Sequence, residues 1–192
     1  MECVSESKSA LRSRLRKLRR ELDKELLYRQ SEQLCVRLLK IPELQQAKTV
    51  FCYVSYGGEV ETHRLIETLL SQGKQVLVPR CRETGLMDCV PITSLRKLVP
   101  GKLGIPEPTE ELGAADPQTV DFAVIPAVAC GLDGTRLGQG GGYYDRFLEQ
   151  VDCVRAAVCL EAFLLPGIPV EPHDQTMNYI VTQQRVLRFE EL

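Results

Sequence analysis

The chain has 192 residues, 44% of them apolar, 26% charged and 6% aromatic, enough to bury most of the surface its unfolded form would expose. Its 24 Lys and Arg against 26 Asp and Glu leave a net charge of −2, which excludes a strongly basic nucleic-acid binder and a highly charged disordered chain. No apolar run approaches the roughly 20 residues that span a bilayer.

The total hides an asymmetry. Residues 1–40 carry 11 basic and 6 acidic side chains, net +5, and the remainder carries 13 and 20, net −7. The opening stretch MECVSESKSALRSRLRKLRR has no apolar core and does not read as a secretory signal. It is Arg-rich like a mitochondrial leader, but Glu2 and Glu6 interrupt it, so a cytoplasmic location is expected, with mitochondrial delivery left open.

Residues 7–22 read as an amphipathic helix with Ser7 as N-cap, since Leu11, Leu15, Leu18 and Leu22 share one face. Lys8, Arg12 and Arg19 line one flank of that stripe, where a solvated basic surface is the expected role. A second helix runs from the cap Asp23 to Lys40, with Pro42 as its stop. TVFCYV (49–54) reads as a buried strand, Glu61 to Ser71 as a helix, QVLVP (75–79) as a strand halted by proline, and MDCVPI (87–92) as a further strand. Residues 93–119 read as a long surface loop. VDFAVIPAVA (120–129) is apolar enough for an interior parallel strand. A helix over about Tyr143 to Gln150 and strands at 153–160 and 179–182 complete the pattern. Alternating strands and helices predict one α/β domain over 1–192, with a mostly parallel sheet covered on both faces and a helical arm over 1–40 preceding a core over 41–192.

Eight cysteines form no C-x-x-C pair, and His63 and His173 are the only histidines. Cys52 and Cys159 sit within apolar runs, where cysteine acts as a small buried hydrophobe.

The chemistry concentrates in GLDGTRLGQGGGYYD (131–145), between the most apolar strand and a helix, where an open α/β sheet places its ligands. Gly138, Gly140, Gly141 and Gly142 let backbone N–H groups converge on an anion, and Arg136 adds a fixed cation. Neither the P-loop pattern nor the dinucleotide G-x-G-x-x-G fits, because no Lys-Ser/Thr follows and Tyr143 stands where the third glycine belongs. Asp145 is a helix-start carboxylate or a Mg²⁺ ligand. From spacing alone, Asp174 and His173 read as ordinary surface groups. Of Glu59 and Glu61, one caps the following helix and the other, by its position Glu59, reaches a ligand above the sheet. Tyr143 and Tyr144 are core aromatics or stacking partners for a flat ring.

On GTRLGQGGGYYDRFL (134–148) the sequence resembles the 5-formyltetrahydrofolate cyclo-ligase family, the 5,10-methenyltetrahydrofolate synthetases. Lys8 and Arg12 as K-x-x-x-R, GEVET (58–62), GIPEP (104–108), DFAVIPAVA (121–129) and PHD (172–174) stand in the family's order and spacing. The resemblance implies a three-layer αβα sandwich related to sugar-phosphate isomerase and CoA-transferase folds. It implies an enzyme using ATP and Mg²⁺ to convert 5-formyltetrahydrofolate into 5,10-methenyltetrahydrofolate, ADP and phosphate through a phosphorylated imidate; a monomer without nucleic-acid or membrane partners is expected. By the same match, Lys8, Arg12 and the run Arg136, Leu137, Gly138, Gln139, Gly140, Gly141, Gly142, Tyr143 and Tyr144 bind ATP. Val54, Glu59 and Gln139 to Tyr143 border the folate, Asp145 and Asp174 hold Mg²⁺, and Arg136, Tyr143 and Asp145 carry the catalysis. Leu132 stands where many relatives have Phe, and Gly141 where some have a basic residue. Neither change removes an implied metal or phosphate ligand, so an active enzyme is expected. Two other classes fit the same features less fully. One is an ATP-independent sugar-phosphate or acyl-transfer enzyme on a similar sheet; the other is an RNA- or lipid-docking basic head, which lacks interleaved aromatics.

Overall fold

The computed structural model describes residues 6–82, 85–101 and 104–189. Helix α1 (Lys8–Arg20) begins where the Ser7 hydroxyl accepts the Ala10 N–H at 3.3 Å, and α2 (Lys24–Leu38) where Asp23 accepts that of Leu26 at 2.8 Å. Both caps are the residues the sequence nominates. Pro42 does not stop α2, which has already ended. It opens α3 (Pro42–Gln46), because a proline at the first helical position gives up no needed N–H.

Strand β1 (Thr49–Cys52), helix α4 (His63–Ser71), β2 (Gln75–Cys81) and β3 (Met87–Ile92) follow. Pro79 lies within β2 rather than ending it. Pairing with β1 stops at Leu77, so at Pro79 only β3 is a neighbour and the strand tolerates a missing donor. The expected loop over 93–119 holds a hairpin of β4 (Leu98–Pro100) and β5 (Pro106–Pro108) between two 3₁₀ turns. The run 120–129 splits into β6 (Phe122–Pro126) and β7 (Ala129–Gly131), and β7 pairs with β8 (Arg136–Leu137). Helix α5 (Tyr143–Leu148), β9 (Val154–Val158), β10 (Leu164–Leu165), β11 (Tyr179–Val181) and β12 (Val186–Arg188) close the order.

Among the described residues the main sheet runs β12-β11-β9-β6-β1-β2-β3, five parallel strands between two antiparallel edges. Side chains alternate between its faces. Val50, Cys52, Val76, Val78 and Val124 pack under α1, α2 and α4, against Leu11, Leu15, Leu34, Leu38 and Leu65. Phe51, Leu77, Ala123, Ile125 and Ala157 pack the other way, against Phe147 and Leu148 of α5. These are the three layers of the expected sandwich. Of the leucine stripe on α1 only Leu11 and Leu15 are buried; Leu18 is 46% exposed. Cysteine fills the interior as expected: Cys35, Cys52, Cys89, Cys130 and Cys159 are buried free thiols, and burial pushes the Cys35 thiol up to about 12. Cys3 lies outside the described residues.

Candidate active site

The chain crosses from β1 outward to β2 on one side and from β6 outward to β9 on the other, so the order reverses between β1 and β6. Loops leaving the carboxyl ends of two such strands diverge and leave a crevice. From β6 the chain makes the β7–β8 hairpin, whose tip is closed by Asp133 accepting from the Thr135 hydroxyl at 2.6 Å and by the Gly131 N–H on the Thr135 carbonyl at 2.9 Å. Leu132 sits at that tip, 45% exposed. The hairpin therefore delivers Arg136 into the crevice and leaves the Leu132 departure at its outer edge.

The Arg136 side chain is 2% exposed, donates to Asp145 Oδ1 at 2.7 Å and holds its Nε buried without a partner among the described residues. A Cβ on Gly138 would fall 2.7 Å from the tip of that guanidinium, so a side chain there would displace Arg136 from its place. Gly142, at φ +65°, turns the chain into α5 in the left-handed region that glycine adopts freely.

Helix α1 closes the crevice. Arg12 Nε donates to the Gly138 carbonyl at 2.8 Å, Arg16 grips Gln139 through its carbonyl at 2.6 Å and its side chain at 2.8 Å, and Arg19 donates to the Ala127 carbonyl at 3.1 Å. The basic flank expected to lie in solvent instead ties the arm to the glycine loop. Lys8 reaches furthest, to Asp174 at 2.5 Å and Glu171 at 2.8 Å. Burial alone would lower the Lys8 pKa; the two carboxylates more than reverse this and hold it raised. Asp174, conversely, is pushed up by burial but held below its ordinary range by Lys8.

Two hollows result. The smaller, about 230 Å³, is bounded by Lys8, Arg12, Arg136, the glycine loop and the carboxylates of Asp145 and Asp174. It lies below the size that encloses a whole drug-sized ligand and has the charge to take a polyanion. The larger, about 590 Å³, is walled by Val54, Pro79, Met87, Ile105, Pro126 and Tyr143, among others, and is of ordinary ligand size. Gln139, Gly141, Tyr143 and Tyr144 border both.

The sequence-nominated residues are brought together here. Glu59 lines the larger hollow and accepts from the Tyr56 N–H at 3.1 Å; burial raises its pKa. Glu61 is the helix-start residue of the pair, accepting from the His63 N–H at 2.8 Å. Tyr143 and Tyr144 both border the hollows, and Tyr144 also packs edge-on against Phe51 in the core. Asp145 and Asp174 both border the smaller hollow, but the tight oxygen-and-nitrogen cluster is Glu171, His173 and Asp174. Sequence reasoning missed Glu171, Arg16 and Glu107. Arg16 was legible as one turn beyond Arg12; Glu107, a carboxylate between two prolines, carried no periodic signal.

Fold and site together define an α/β protein with an anion-binding hollow abutting an apolar ligand cavity at the strand ends. The family model described as the 5-formyltetrahydrofolate cyclo-ligase family matches residues 4–183, and the chain belongs to that family. It is 34% identical to the 5-formyltetrahydrofolate cyclo-ligase of Mycolicibacterium smegmatis, covering 93% of this chain and 95% of the relative. To the enzyme of that name from Escherichia coli it is 30% identical, over 90% and 98%. The solved 5,10-methenyltetrahydrofolate synthetase of Aquifex aeolicus superposes with a TM-score of 0.86 at 32% identity, covering 96% of this chain and 93% of that one. No helix among the described residues is long and apolar enough to cross a membrane.

Proposed function

We propose that this chain converts 5-formyltetrahydrofolate into 5,10-methenyltetrahydrofolate, consuming ATP in the presence of Mg²⁺. The observation that carries the reading is the shared wall: the glycine loop and Tyr143 border a cationic hollow on one side and an apolar cavity on the other. A triphosphate in the first and a folate in the second would meet across that loop, which is the positioning phosphoryl transfer chiefly needs.

In this reading Lys8, Arg12 and Arg136 hold the phosphates together with the backbone from Leu137 to Gly142. Val54, Glu59, Gln139 and Tyr143 border the folate, Tyr143 offering a ring face to a flat heterocycle. The formyl oxygen attacks the γ-phosphorus and the bond to ADP breaks, leaving a phosphorylated imidate. N10 then adds to the imidate carbon, gives up its proton, and the C–O bond breaks to release phosphate. A formamide oxygen leaves poorly until it is phosphorylated. Arg136 stabilises charge on the transferring phosphoryl group, and a bound anion would offset the cost of its unpaired Nε.

Mg²⁺ suits the donor set. Asp145 and Asp174 are half-buried hard oxygen donors, and the bonds to Arg136 and Lys8 engage Oδ1 of the first and Oδ2 of the second, leaving each a further oxygen. When bound, the ion would neutralise charge on the triphosphate. We take the arm and core as one functional domain of a cytoplasmic monomer, which sedimentation and cell fractionation test.

The direct assay mixes purified protein with ATP, Mg²⁺ and 5-formyltetrahydrofolate and follows the methenyl chromophore. Its appearance, dependent on ATP, is expected; no chromophore with folded protein sinks the reading, and binding of an ATP analogue then separates a nucleotide enzyme from an ATP-independent one.

A further inference from the structure

The larger cavity carries two carboxylates, and the motif reading uses only Glu59. We propose that Glu107 determines specificity by receiving the paired 2-amino and N3–H donors of the substrate's pterin ring, an inference that rests on the folate reading above. Glu107 lies on β5, 9% exposed, and lines the cavity beside the apolar side chains of Pro79, Met87 and Ile105. A carboxylate in such a wall is costly to bury without donors to meet it.

The hairpin is built around this group. Pro106 and Pro108 flank it and fix the local backbone, and Glu107 pairs across the hairpin with Val99. A Cβ on Gly101, two positions beyond Val99, would collide with the Glu107 carboxyl group, so the missing side chain there makes room for it. The nearby Cys81 N–H lies 3.5 Å from Oε1, too long to serve as its main partner.

Glu59 is placed differently. Its Oε2 accepts the Tyr56 N–H at 3.1 Å, a backbone donor of its own loop at ordinary hydrogen-bond length, and its Oε1 lies 3.5 Å from the Gln139 amide. A 2-amino-4-oxo pyrimidine edge presents two parallel N–H donors, and a carboxylate is the side chain with two parallel acceptors. Glu107 meets that requirement at the cavity wall away from the phosphate hollow, which its side chain does not line.

The test compares wild type and Glu107→Gln on 5-formyltetrahydrofolate and on its 2-desamino-2-methyl analogue, which lacks one of the two donors. Wild type should show a KM roughly 10- to 100-fold higher for the analogue, the range of one hydrogen bond to a charged acceptor. Glu107→Gln should raise KM for the normal substrate by a similar factor and discriminate between the two compounds severalfold less, with kcat and the KM for ATP little changed. Discrimination as strong as in wild type, or a parallel loss of kcat on both compounds, overturns the assignment. If Glu107→Gln does not fold, Glu107→Asp, which keeps the charge but withdraws the acceptors, is read by the same criteria. A wild type that forms no methenyl product from the normal substrate overturns the folate reading itself; an active wild type with unaltered discrimination in the variant overturns only the role of Glu107.

Discussion

The two hollows share a wall but are held together by opposite means. In the smaller one, cations from α1 and β8 are already matched to carboxylates, Lys8 to Asp174 at 2.5 Å and Arg136 to Asp145 at 2.7 Å. In the larger one most of the wall area is apolar, and charge enters through the carboxylates Glu59 and Glu107 and, from α1, Arg16, Arg19 and Arg20. The first is a preassembled charge network whose members are oriented before a ligand arrives; the second selects by shape and desolvation. The difference predicts that changes in the first act on kcat and changes in the second act on KM.

The sharpest break would come at Arg136. Arg136→Ala should lower kcat by roughly 10³-fold, the scale for losing a charged group at a transferring phosphoryl. Arg136→Lys should recover little, because an ammonium lacks the fork that spans Asp145 and a phosphate. Initial rates at saturating substrates, with circular dichroism to check the fold, decide this. A rise in the KM for ATP with kcat untouched would show that the smaller hollow binds without contributing to the chemical step.

Asp174→Asn and Asp145→Asn should each lower the rate by roughly 10²-fold at fixed Mg²⁺, with part of the loss recovered as Mg²⁺ is raised. Titrating the rate against Mg²⁺ measures it. A deficit independent of the ion would reassign these carboxylates to orienting Arg136 and Lys8 alone.

On the other side of the wall, if the ring face of Tyr143 and not its hydroxyl meets the folate as proposed, Tyr143→Ala should raise the KM for the folate about tenfold and Tyr143→Phe much less. Steady-state kinetics with ATP saturating separates the two. An equal fall in kcat would place Tyr143 in the phosphoryl-transfer geometry instead.

How far these regions were legible in sequence differs for a physical reason. The strands of the sheet announce themselves because β1 and β6 are buried on both faces, and their register of Val50 with Phe122 requires continuous apolar runs. The glycine loop is legible because four glycines cluster between the most apolar strand and a helix, and Gly140 and Gly142 take positive φ values that other residues rarely adopt. What α1 does is not legible. Periodicity places Lys8, Arg12 and Arg19 on a flank, but that Arg12 and Arg19, with the unforeseen Arg16, bond carbonyls of Gly138, Ala127 and Gln139 depends on where the arm packs, more than 100 residues away in the chain. The paired strands β4 and β5 read as loop in the sequence because their prolines and the neighbouring glycines are turn-formers first, and pairing at a proline-rich edge leaves no alternation to detect.

The smallest expected effect belongs to His63, one residue beyond the segment that carries Glu59. The Ser55 hydroxyl, Glu61 and the His63 ring meet in one cluster, which superficially suggests a nucleophile triad. It is not one: both Ser55 and Glu61 contact Nδ1, whereas a triad places serine and carboxylate on opposite ring nitrogens. The cluster instead secures the loop between β1 and α4, with the Ser55 N–H on the Thr62 hydroxyl and the Thr62 N–H on the Ser55 hydroxyl, both at 3.0 Å. Burial would raise the Glu61 pKa, but hydrogen bonds from His63 and Ser55 bring it down to about 2 from an ordinary 4.5. The Glu61 hydrogen bond raises His63 above its ordinary 6.5 despite burial, with Glu67 adding in the same direction. The Glu61 contribution to stability is therefore present above pH 4.5 and lost as pH falls toward 2. The His63 contribution is present below pH 6.5 and lost as pH rises through its raised folded value. With the ring 40% exposed, the pair is worth about 1 kcal/mol at most. His63→Gln should lower the melting temperature by about 2–4 °C at pH 5.5 and by less at pH 9, with turnover at neutral pH retained. A deficit equal at both pH values would mean that the ring supports the loop by packing and not by charge.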